Sequence, residues 1–312
     1  MKPELPQGKR YFEYSDFMLR RLGGKVQKIA IDAGFSCPNR DGAKAVGGCV
    51  YCNNATFNPP YCSPRKGVTQ QLADGKRFFA RKYGGSRYLA YFQAYSGTYA
   101  PVERLRRLYA EALECSGVEG VVVATRPDCV TPAVAQLLAD FARRGAYVAV
   151  ELGIESAHDS TLQLINRCHT WADTRRAALM LHDAGIDCGG HLIFGLPDED
   201  VAMMLYTTRC VAQLPLSTLK FHQMQVVRGT RLAADFEQWR QRLHQFTAQS
   251  YAQLCVEAIR RLPPTVALER FVSQSPQSLL ISPHWGVKPA ELNAQIASLL
   301  TALDARQGDK MA

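Results

Sequence analysis

The sequence contains no apolar run close to the roughly 20 consecutive residues that a membrane-spanning helix requires. Residues 1–22 mix charged and aromatic side chains and lack the continuous apolar core of a signal peptide. The 16 proline and 23 glycine residues are scattered, and 47% of the chain is apolar, which excludes collagen-like, low-complexity and disordered classes. We therefore expect a globular, cytoplasmic protein with no membrane partner.

Acidic residues are the scarcer charged class. The chain has 28 of them against 37 lysines and arginines, which gives a formal net charge of +9. Residues 65–87 hold seven basic residues and one acid, Asp74. Such a segment attracts a polyanion such as RNA through its phosphates. A solvated helix face explains the same segment equally well, so both interpretations stay open.

Ten cysteines in a chain with no visible leader do not predict a disulfide framework, because the cytosol keeps thiols reduced. Three of them are grouped, namely Cys37, Cys49 and Cys52 in the stretch FSCPNRDGAKAVGGCVYC. This stretch is rich in glycine and follows an apolar run at residues 26–33. A loop of this kind lets several side chains converge on one bound group.

Three kinds of site are open for this cysteine group. A zinc ion needs a fourth ligand, and Cys62, ten residues past Cys52, is available for it. An iron–sulfur cubane held by three cysteines leaves one iron open to a small molecule. A thioredoxin-like redox pair at Cys49 and Cys52 is the third option, although it does not explain Cys37.

The chain alternates β-rich runs with segments of helical spacing, which predicts parallel strands joined by right-handed crossovers. An open sheet and a complete or partial barrel are both compatible with this pattern. In each case the loops after the strands gather at one rim, where chemistry usually occurs. Thr131 followed by Pro132 predicts an N-cap with proline at the first helical position. From about residue 235 the alternation stops, and we expect a mainly helical extension: a helical stretch at 236–262, a short β-like run near 267–271 and a final helix around 289–304. The predicted strands are residues 26–33, 88–94, 120–125, 146–152, 187–194 and 218–227.

Six segments, in order along the chain, carry a resemblance to a known family. They are FSCPNRDGAKAVGGCVYC, RYLAYFQAYSGTYAP, TRPDC, ELGIESAHDSTLQLINRCHT, HLIFGLPDE and KFHQMQVVRGT. Together they resemble the radical S-adenosylmethionine (radical SAM) superfamily, most closely its YhcC-type branch, over residues 26–232. That branch is related to the catalytic subunit of Elongator and, more distantly, to oxygen-independent coproporphyrinogen oxidase. Eleven residues separate Cys37 from Cys49, unlike the CxxxCxxC of most members, and this branch shows the same long gap.

The resemblance implies an α/β fold, namely a partial (β/α)6 TIM-type barrel with a mainly helical C-terminal extension. It divides the chain into an N-terminal segment (1–25), a radical SAM core (26–232) and an extension packed on the core (233–312). It further implies that Cys37, Cys49 and Cys52 bind a [4Fe–4S] cluster and that S-adenosylmethionine binds its fourth iron. Reductive cleavage then produces a 5′-deoxyadenosyl radical.

The resemblance also suggests five residues that bind S-adenosylmethionine. Gln93 and Ser96 are the polar candidates in a turn that faces the methionine amino group. Glu155 occupies the position where relatives have a glutamine near the ribose, and Arg167 is similar to an arginine that meets the carboxylate. His191 stands where relatives carry an aspartate.

Each of these assignments has a plainer alternative. Gln93 is compatible with an ordinary strand end, and Glu155 with a helix cap. Arg167 is compatible with a surface ion pair to Asp159 or Asp173, and His191 with a satisfied, half-buried strand residue.

Two weaker catalytic candidates lie after other strands. Cys129 is either a hydrogen-atom relay or sulfur carrier or a buried packing thiol. His222 projects from the end of the sixth predicted strand.

The kinship with Elongator and the positive charge predict modification of a tRNA nucleoside. The resemblance to radical SAM enzymes implies an electron donor such as flavodoxin or ferredoxin. Radical chemistry on a small molecule or a protein side chain is the first alternative. A zinc-stabilised RNA-binding or scaffold protein is the second.

Overall fold

The structure is a computed structural model, and it describes residues 5–83 and 87–311. Seven strands form one sheet in which every pair is parallel, in the order β1-β2-β3-β4-β5-β6-β8. A short antiparallel pair, β7 and β9, lies beside it. The strands are β1 (Val26–Ile31), β2 (Arg87–Phe92), β3 (Val118–Thr125), β4 (Tyr147–Glu155), β5 (Asp187–Phe194), β6 (Thr218–Gln223), β7 (Val226–Val227), β8 (Ala267–Arg270) and β9 (Leu280–Ser282).

The helices connect these strands and cover the outer face of the sheet. Thr131 caps α4 by accepting a hydrogen bond from Val134 N, with Pro132 at the first helical position, as the sequence predicts. The helices are α1 (Tyr14–Leu22), α2 (Val68–Tyr83), α3 (Val102–Leu113), α4 (Pro132–Arg143), α5 (Asp159–Leu164), α6 (Trp171–Asp183), α7 (Val201–Ala212), α8 (Arg231–Ala234), α9 (Phe236–Arg240), α10 (Ala248–Ile259) and α11 (Pro289–Ala302).

The prediction of a partial barrel is confirmed, and the number of strands is corrected from six to seven. The short run at residues 267–271 becomes β8, which pairs parallel with β6 and so covers an edge that would otherwise be open. The predicted strand at 218–227 is divided into β6 and β7, because β7 pairs with β9 instead of the main sheet. The predicted helix at 236–262 is interrupted between α9 and α10.

The sheet curls so that its two end strands, β1 and β8, come near each other. Lys28 on β1 donates hydrogen bonds of 2.8 and 2.7 Å to the carboxylate of Glu269 on β8. The N-terminal segment occupies the gap between them, where Leu268 N donates to Phe12 O at 2.8 Å. The partial barrel is therefore closed by side chains and one short bridge of main chain.

Inside the barrel, below the rim, lies a buried cluster of charged side chains. The carboxylate of Glu151 accepts hydrogen bonds from Lys28 and Lys220 at 2.6 Å each. It also accepts from Tyr91 Oη at 2.6 Å and from His191 Nε2 at 2.9 Å. Glu151 is 3% exposed, so four donors replace the water that the carboxylate loses. This cluster forms the floor beneath the rim.

Within the described residues, none of the helices has the combined length and apolar character that crossing a bilayer demands.

Candidate functional site

A cavity of about 260 Å³ opens at the carboxyl ends of the parallel strands. Cys37, Cys49 and Cys52 all line it. Four of the five residues predicted to bind S-adenosylmethionine also line it, as does the candidate His222. These are Gln93, Glu155, Arg167 and His191. The fold therefore brings together side chains from the loop after β1 and from β2, β4, β5 and β6.

The cysteine loop is folded by its own main chain. Arg40 N donates to Cys37 O at 2.7 Å, and Cys52 N donates to Cys49 O at 3.1 Å. Gly48 has a φ of 77°, and a Cβ there would lie 2.9 Å from Arg40 Nε. Glycine is required at this position, because a side chain would be strained and would displace the guanidinium next to the thiols.

Two hydrogen bonds anchor the loop to the rest of the barrel. Val50 N donates to Ile165 O at 3.1 Å, at the end of α5. Leu232 N, in α8, donates to Val50 O at 2.9 Å. Val50, which follows Cys49, is thereby held through both its N–H and its carbonyl, and this fixes the main chain between the two thiols at the cavity wall.

Polar donors surround the second cysteine. Asn39 Nδ2 lies 3.5 Å from Cys49 Sγ, and Arg167 Nη1 lies 3.7 Å from the same atom. Burial raises the pKa of the Cys52 thiol to about 11, and the neighbouring Cys49 adds to this shift, while Arg40 opposes it. Such a thiol is protonated at neutral pH unless a bound metal centre holds it as the thiolate.

The donor set suits an iron–sulfur cluster better than a single zinc ion. Within the described chain, no three or more histidine, cysteine or acidic side chains are gathered as one metal ion requires. Cys62 does not line the cavity, and its Sγ lies 3.0 Å from Ala30 O. A cubane distributes its cysteines over separate irons, so three thiols spread along one cavity wall fit it.

Arg167 is buried at the centre of the site. Its Nη2 donates to Gly153 O at 2.7 Å and lies 3.3 Å from Glu155 Oε1. A Cβ on Gly153 would lie 2.3 Å from that nitrogen, so this approach requires glycine. The alternative of a surface ion pair to Asp159 or Asp173 is wrong. Those two carboxylates instead accept from Trp171 N and from Thr170 N, near the start of α6.

Glu155 does not cap a helix, since α5 begins at Asp159 and has His158 as its N-cap. Its φ is 66°, a left-handed conformation that costs a non-glycine residue free energy and is maintained by its surroundings. The ion pair with Arg167 directs the carboxylate toward the cavity that both residues line.

His191 lines the cavity and is also bonded to the floor. Its Nε2 donates to Glu151 Oε2 at 2.9 Å. Burial and the neighbouring Lys220 lower the pKa of His191, so the ring is neutral with its proton on Nε2. Its Nδ1 is then an acceptor. His191 is therefore a satisfied, half-buried strand residue, as the alternative interpretation has it, and it also lines the cavity.

Two predicted site residues lie outside the cavity lining. Ser96 is fully buried, and its main-chain N–H donates to Ser36 O at 3.3 Å. Cys129 is 6% exposed, and burial raises the pKa of its thiol to about 11. An inert packing thiol matches this environment.

Several polar residues of the site have no role assigned from the sequence. Asn39, Glu151 and Lys220 lie within the six family-like segments, and Arg270, which also lines the cavity, lies beyond them. The available signal for Glu151 and Lys220 was a charged residue within an otherwise apolar strand, in AVELGI and TLKFHQ. A buried charge needs a partner, so each of these two residues predicts an oppositely charged side chain near it in the folded protein.

Comparison with protein-family models identifies two matching regions. Residues 39–209 match the model described as the radical SAM superfamily, and residues 216–300 match the radical SAM C-terminal domain. The chain is 38% identical over 268 residues to protein YhcC of Escherichia coli, which covers 86% of this chain and 85% of that protein.

Two more distant relatives are similar in part. A tRNA uridine(34) acetyltransferase of Methanocaldococcus jannaschii is 26% identical over 175 residues, which is 54% of this chain and 30% of that protein. The solved structure of Elp3 from Methanocaldococcus infernus, with its N-terminus deleted, superposes with a TM-score of 0.66 at 17% identity. This match covers 90% of this chain and 64% of that chain, and it supports the fold.

Proposed function

The chain is an enzyme that belongs to the radical SAM superfamily, and from that premise we propose that Cys37, Cys49 and Cys52 bind three irons of a [4Fe–4S] cluster. The fourth iron is left for S-adenosylmethionine. When bound, the two cofactors would supply hydrogen abstraction through a 5′-deoxyadenosyl radical, with the one electron that this requires coming from the proposed electron donor. One observation carries this proposal: the three thiols line a single cavity together with the buried Arg167 and Glu155.

The roles of the cavity residues follow from their chemistry. The guanidinium of Arg167 contacts two groups of the site. Its Nη1 lies 3.7 Å from Cys49 Sγ, and its Nη2 lies 3.3 Å from Glu155 Oε1. We assign Arg167 to the carboxylate of S-adenosylmethionine, which lies next to the cluster in this proposal. We assign Glu155 and His191 Nδ1 to the ribose hydroxyls as acceptors. We assign Gln93, which follows β2 and lines the cavity, to the methionine end.

Charge around the cysteines favours the bound state. Arg40 Nη2 donates to Cys52 O at 3.1 Å, and Arg167 approaches Cys49. Three thiolates are a concentration of negative charge that two guanidinium groups offset. The floor below, centred on Glu151, closes the barrel from the other side and keeps water away from a reactive radical.

For the substrate we propose a tRNA nucleoside. The relative named tRNA uridine(34) acetyltransferase supports this class, and so does the net charge of +9. The basic segment at 65–87 supports it less than its sequence suggests. Lys76 donates to Ser116 O and Arg77 pairs with Asp74, while the side chains of Arg81 and Lys82 lie outside the described residues. Flavodoxin or ferredoxin is the proposed electron donor, and the cytoplasm the proposed location.

The experiment that tests the proposal is anaerobic. The protein is reconstituted with iron and sulfide, mixed with S-adenosylmethionine and dithionite, and assayed for 5′-deoxyadenosine. Wild type is expected to form it, and Cys49→Ala to lose both the cluster absorbance near 400 nm and the product. Cys210→Ala, in α7 and outside the cavity lining, is the matched control and keeps both.

The substrate part has its own readout. Unmodified transfer RNA is expected to raise the rate of 5′-deoxyadenosine formation, with a stimulation that declines as salt increases. A protein that retains zinc and no iron after reconstitution would overturn the cluster proposal. If no RNA raises the rate of 5′-deoxyadenosine formation while the basal cleavage of S-adenosylmethionine is normal, only the proposed substrate class is overturned.

A further inference from the structure

The positive charges that line the cavity are not all balanced by carboxylates. Three of the cations have an acidic partner within 3.3 Å, in the pairs Arg167–Glu155, Lys220–Glu151 and Arg126–Asp128. Arg40 donates to the main-chain carbonyl of Cys52, one of the proposed cluster ligands. Arg270, at the end of β8, has no carboxylate within 4.0 Å in the part of the chain that the structure describes. Among the cations that line the cavity in the described residues, Arg270 is the one that neither a carboxylate of the protein nor the proposed cluster neutralises.

The wall next to Arg270 is held rigidly. Ser273 N donates to Gln223 Oε1 at 2.8 Å, and Gln223 Nε2 donates back to Ser273 O at 3.0 Å. Ser275 Oγ donates to Gln225 Oε1 at 2.7 Å. These side chains attach the loop after β8 to the end of β6, so the loop is fixed before any ligand enters.

His222 on β6 presents an unused polar atom to the same wall. Its Nδ1 is hydrogen-bonded to Ser273 Oγ, while its Nε2 is buried and has no hydrogen-bond partner in the described residues. The rings of His222 and His191 are 5.1 Å apart. A buried polar atom without a partner costs free energy, which a bound ligand would recover. When Ser273 donates to Nδ1, the neutral ring carries its proton on Nε2 and is a donor.

We propose that Arg270 and His222 form a binding site for an oxyanion of the substrate, specifically the phosphate of the nucleotide that enters the cavity. This inference rests on the proposed function for the choice of a nucleotide. Guanidinium presents two parallel N–H groups to a phosphate or carboxylate. The His222 Nε2–H is a further donor, and the exposed position of Arg270 at the rim suits a phosphate that remains near solvent.

The test uses the reconstituted protein with S-adenosylmethionine bound, at constant ionic strength. Binding of four probes is measured by anaerobic calorimetry: uridine, uridine 5′-monophosphate, inorganic phosphate and acetate. Wild type is expected to bind the monophosphate about tenfold to a hundredfold more tightly than uridine, as a charge-assisted hydrogen bond predicts. Arg270→Gln is expected to abolish that difference. Arg240→Gln, on the exposed α9, is the matched control and retains it.

Each other outcome has a defined meaning. If acetate binds in a way that depends on Arg270 and phosphate does not bind, the assignment of phosphate as the ligand is overturned and the site binds a carboxylate instead. Anion binding that is unchanged in Arg270→Gln, or absent in wild type, overturns the site. Cleavage of S-adenosylmethionine by wild type is measured in parallel. If wild type does not cleave S-adenosylmethionine but still binds the anion through Arg270, the proposed function is overturned and the anion site is retained.

Discussion

The side-chain amide of Asn39 joins the second cysteine to the segment that follows α5. Its Nδ2 lies 3.5 Å from Cys49 Sγ and 2.6 Å from Asn166 O, and the residue is fully buried. The same segment continues into Arg167, which approaches the same sulfur. One amide thus couples the position of the thiol to that of the arginine proposed to bind the cofactor.

Replacing Asn39 is expected to lower the reduction potential of the proposed cluster. A hydrogen bond to a ligating sulfur stabilises the reduced, more negative state, so Asn39→Ala removes that stabilisation. A loss of about 1 kcal/mol corresponds to a shift of roughly 40 mV to more negative potential. The measurement is a redox titration followed by electron paramagnetic resonance. Asn293→Ala, in α11 and outside the cavity lining, is the control, and equal potentials in both variants would contradict the role.

Glu155 is expected to act through hydrogen-bond acceptance and not through its charge. Glu155→Gln retains an acceptor oxygen and should keep the affinity for S-adenosylmethionine within about threefold. Glu155→Ala should weaken it about tenfold, because the ribose hydroxyls lose a buried acceptor. Equilibrium dialysis with the reconstituted protein measures both. Equal affinities for Glu155→Ala and wild type would remove Glu155 from the cofactor site.

Glu151→Gln is expected to destabilise the barrel strongly. The variant leaves Lys28 and Lys220 buried with Glu269 as their remaining carboxylate, and such a break costs about 3–5 kcal/mol. The melting temperature should fall by roughly 10 °C. Glu237→Gln, at the start of α9, should leave it unchanged. Adding Lys220→Met to Glu151→Gln should recover part of the loss, since it removes an uncompensated charge. A lower melting temperature for the double variant would argue against this account.

His169 is expected to make stability depend on pH. It is 4% exposed, and neither ring nitrogen has a hydrogen-bond partner in the described residues. Burial, followed by Arg167 and Arg126, lowers its pKa to about 2, below the 6.5 of an unfolded histidine. The unfolded state therefore binds the proton first, so stability is present above pH 6.5 and is lost as the pH falls below it.

Between pH 7.5 and 5.5 this single histidine should contribute about 1.4 kcal/mol of the loss in unfolding free energy. His169→Leu should remove that share and leave the protein at least as stable at pH 5.5. Urea unfolding at the two pH values measures the difference. The same pH dependence in the variant and the wild type would assign the effect to other groups, such as His222, whose pKa burial also lowers.

Local features of the sequence were sufficient for much of the architecture. The alternation of strands and helices predicts parallel pairing, and Thr131 with Pro132 predicts the start of α4. The spacing of Cys37, Cys49 and Cys52 predicts a loop that converges on one bound group, and these thiols do line one cavity. Hydrophobic periodicity, helix capping and cysteine spacing involve residues that are close together in the chain, so they can be recognised from one sequence.

Tertiary structure alone decided what lies between distant segments. Lys28 is 123 residues from Glu151 and 241 from Glu269, and no local pattern joins them. β8 became a seventh strand because the curled sheet offered it the edge of β6. The contacts of Asn39 with Cys49 and of His222 with Ser273 likewise depend on how the loops after β1, α5 and β8 meet at the rim. Burial makes each of these polar groups require a partner, and only the folded chain determines which one it finds.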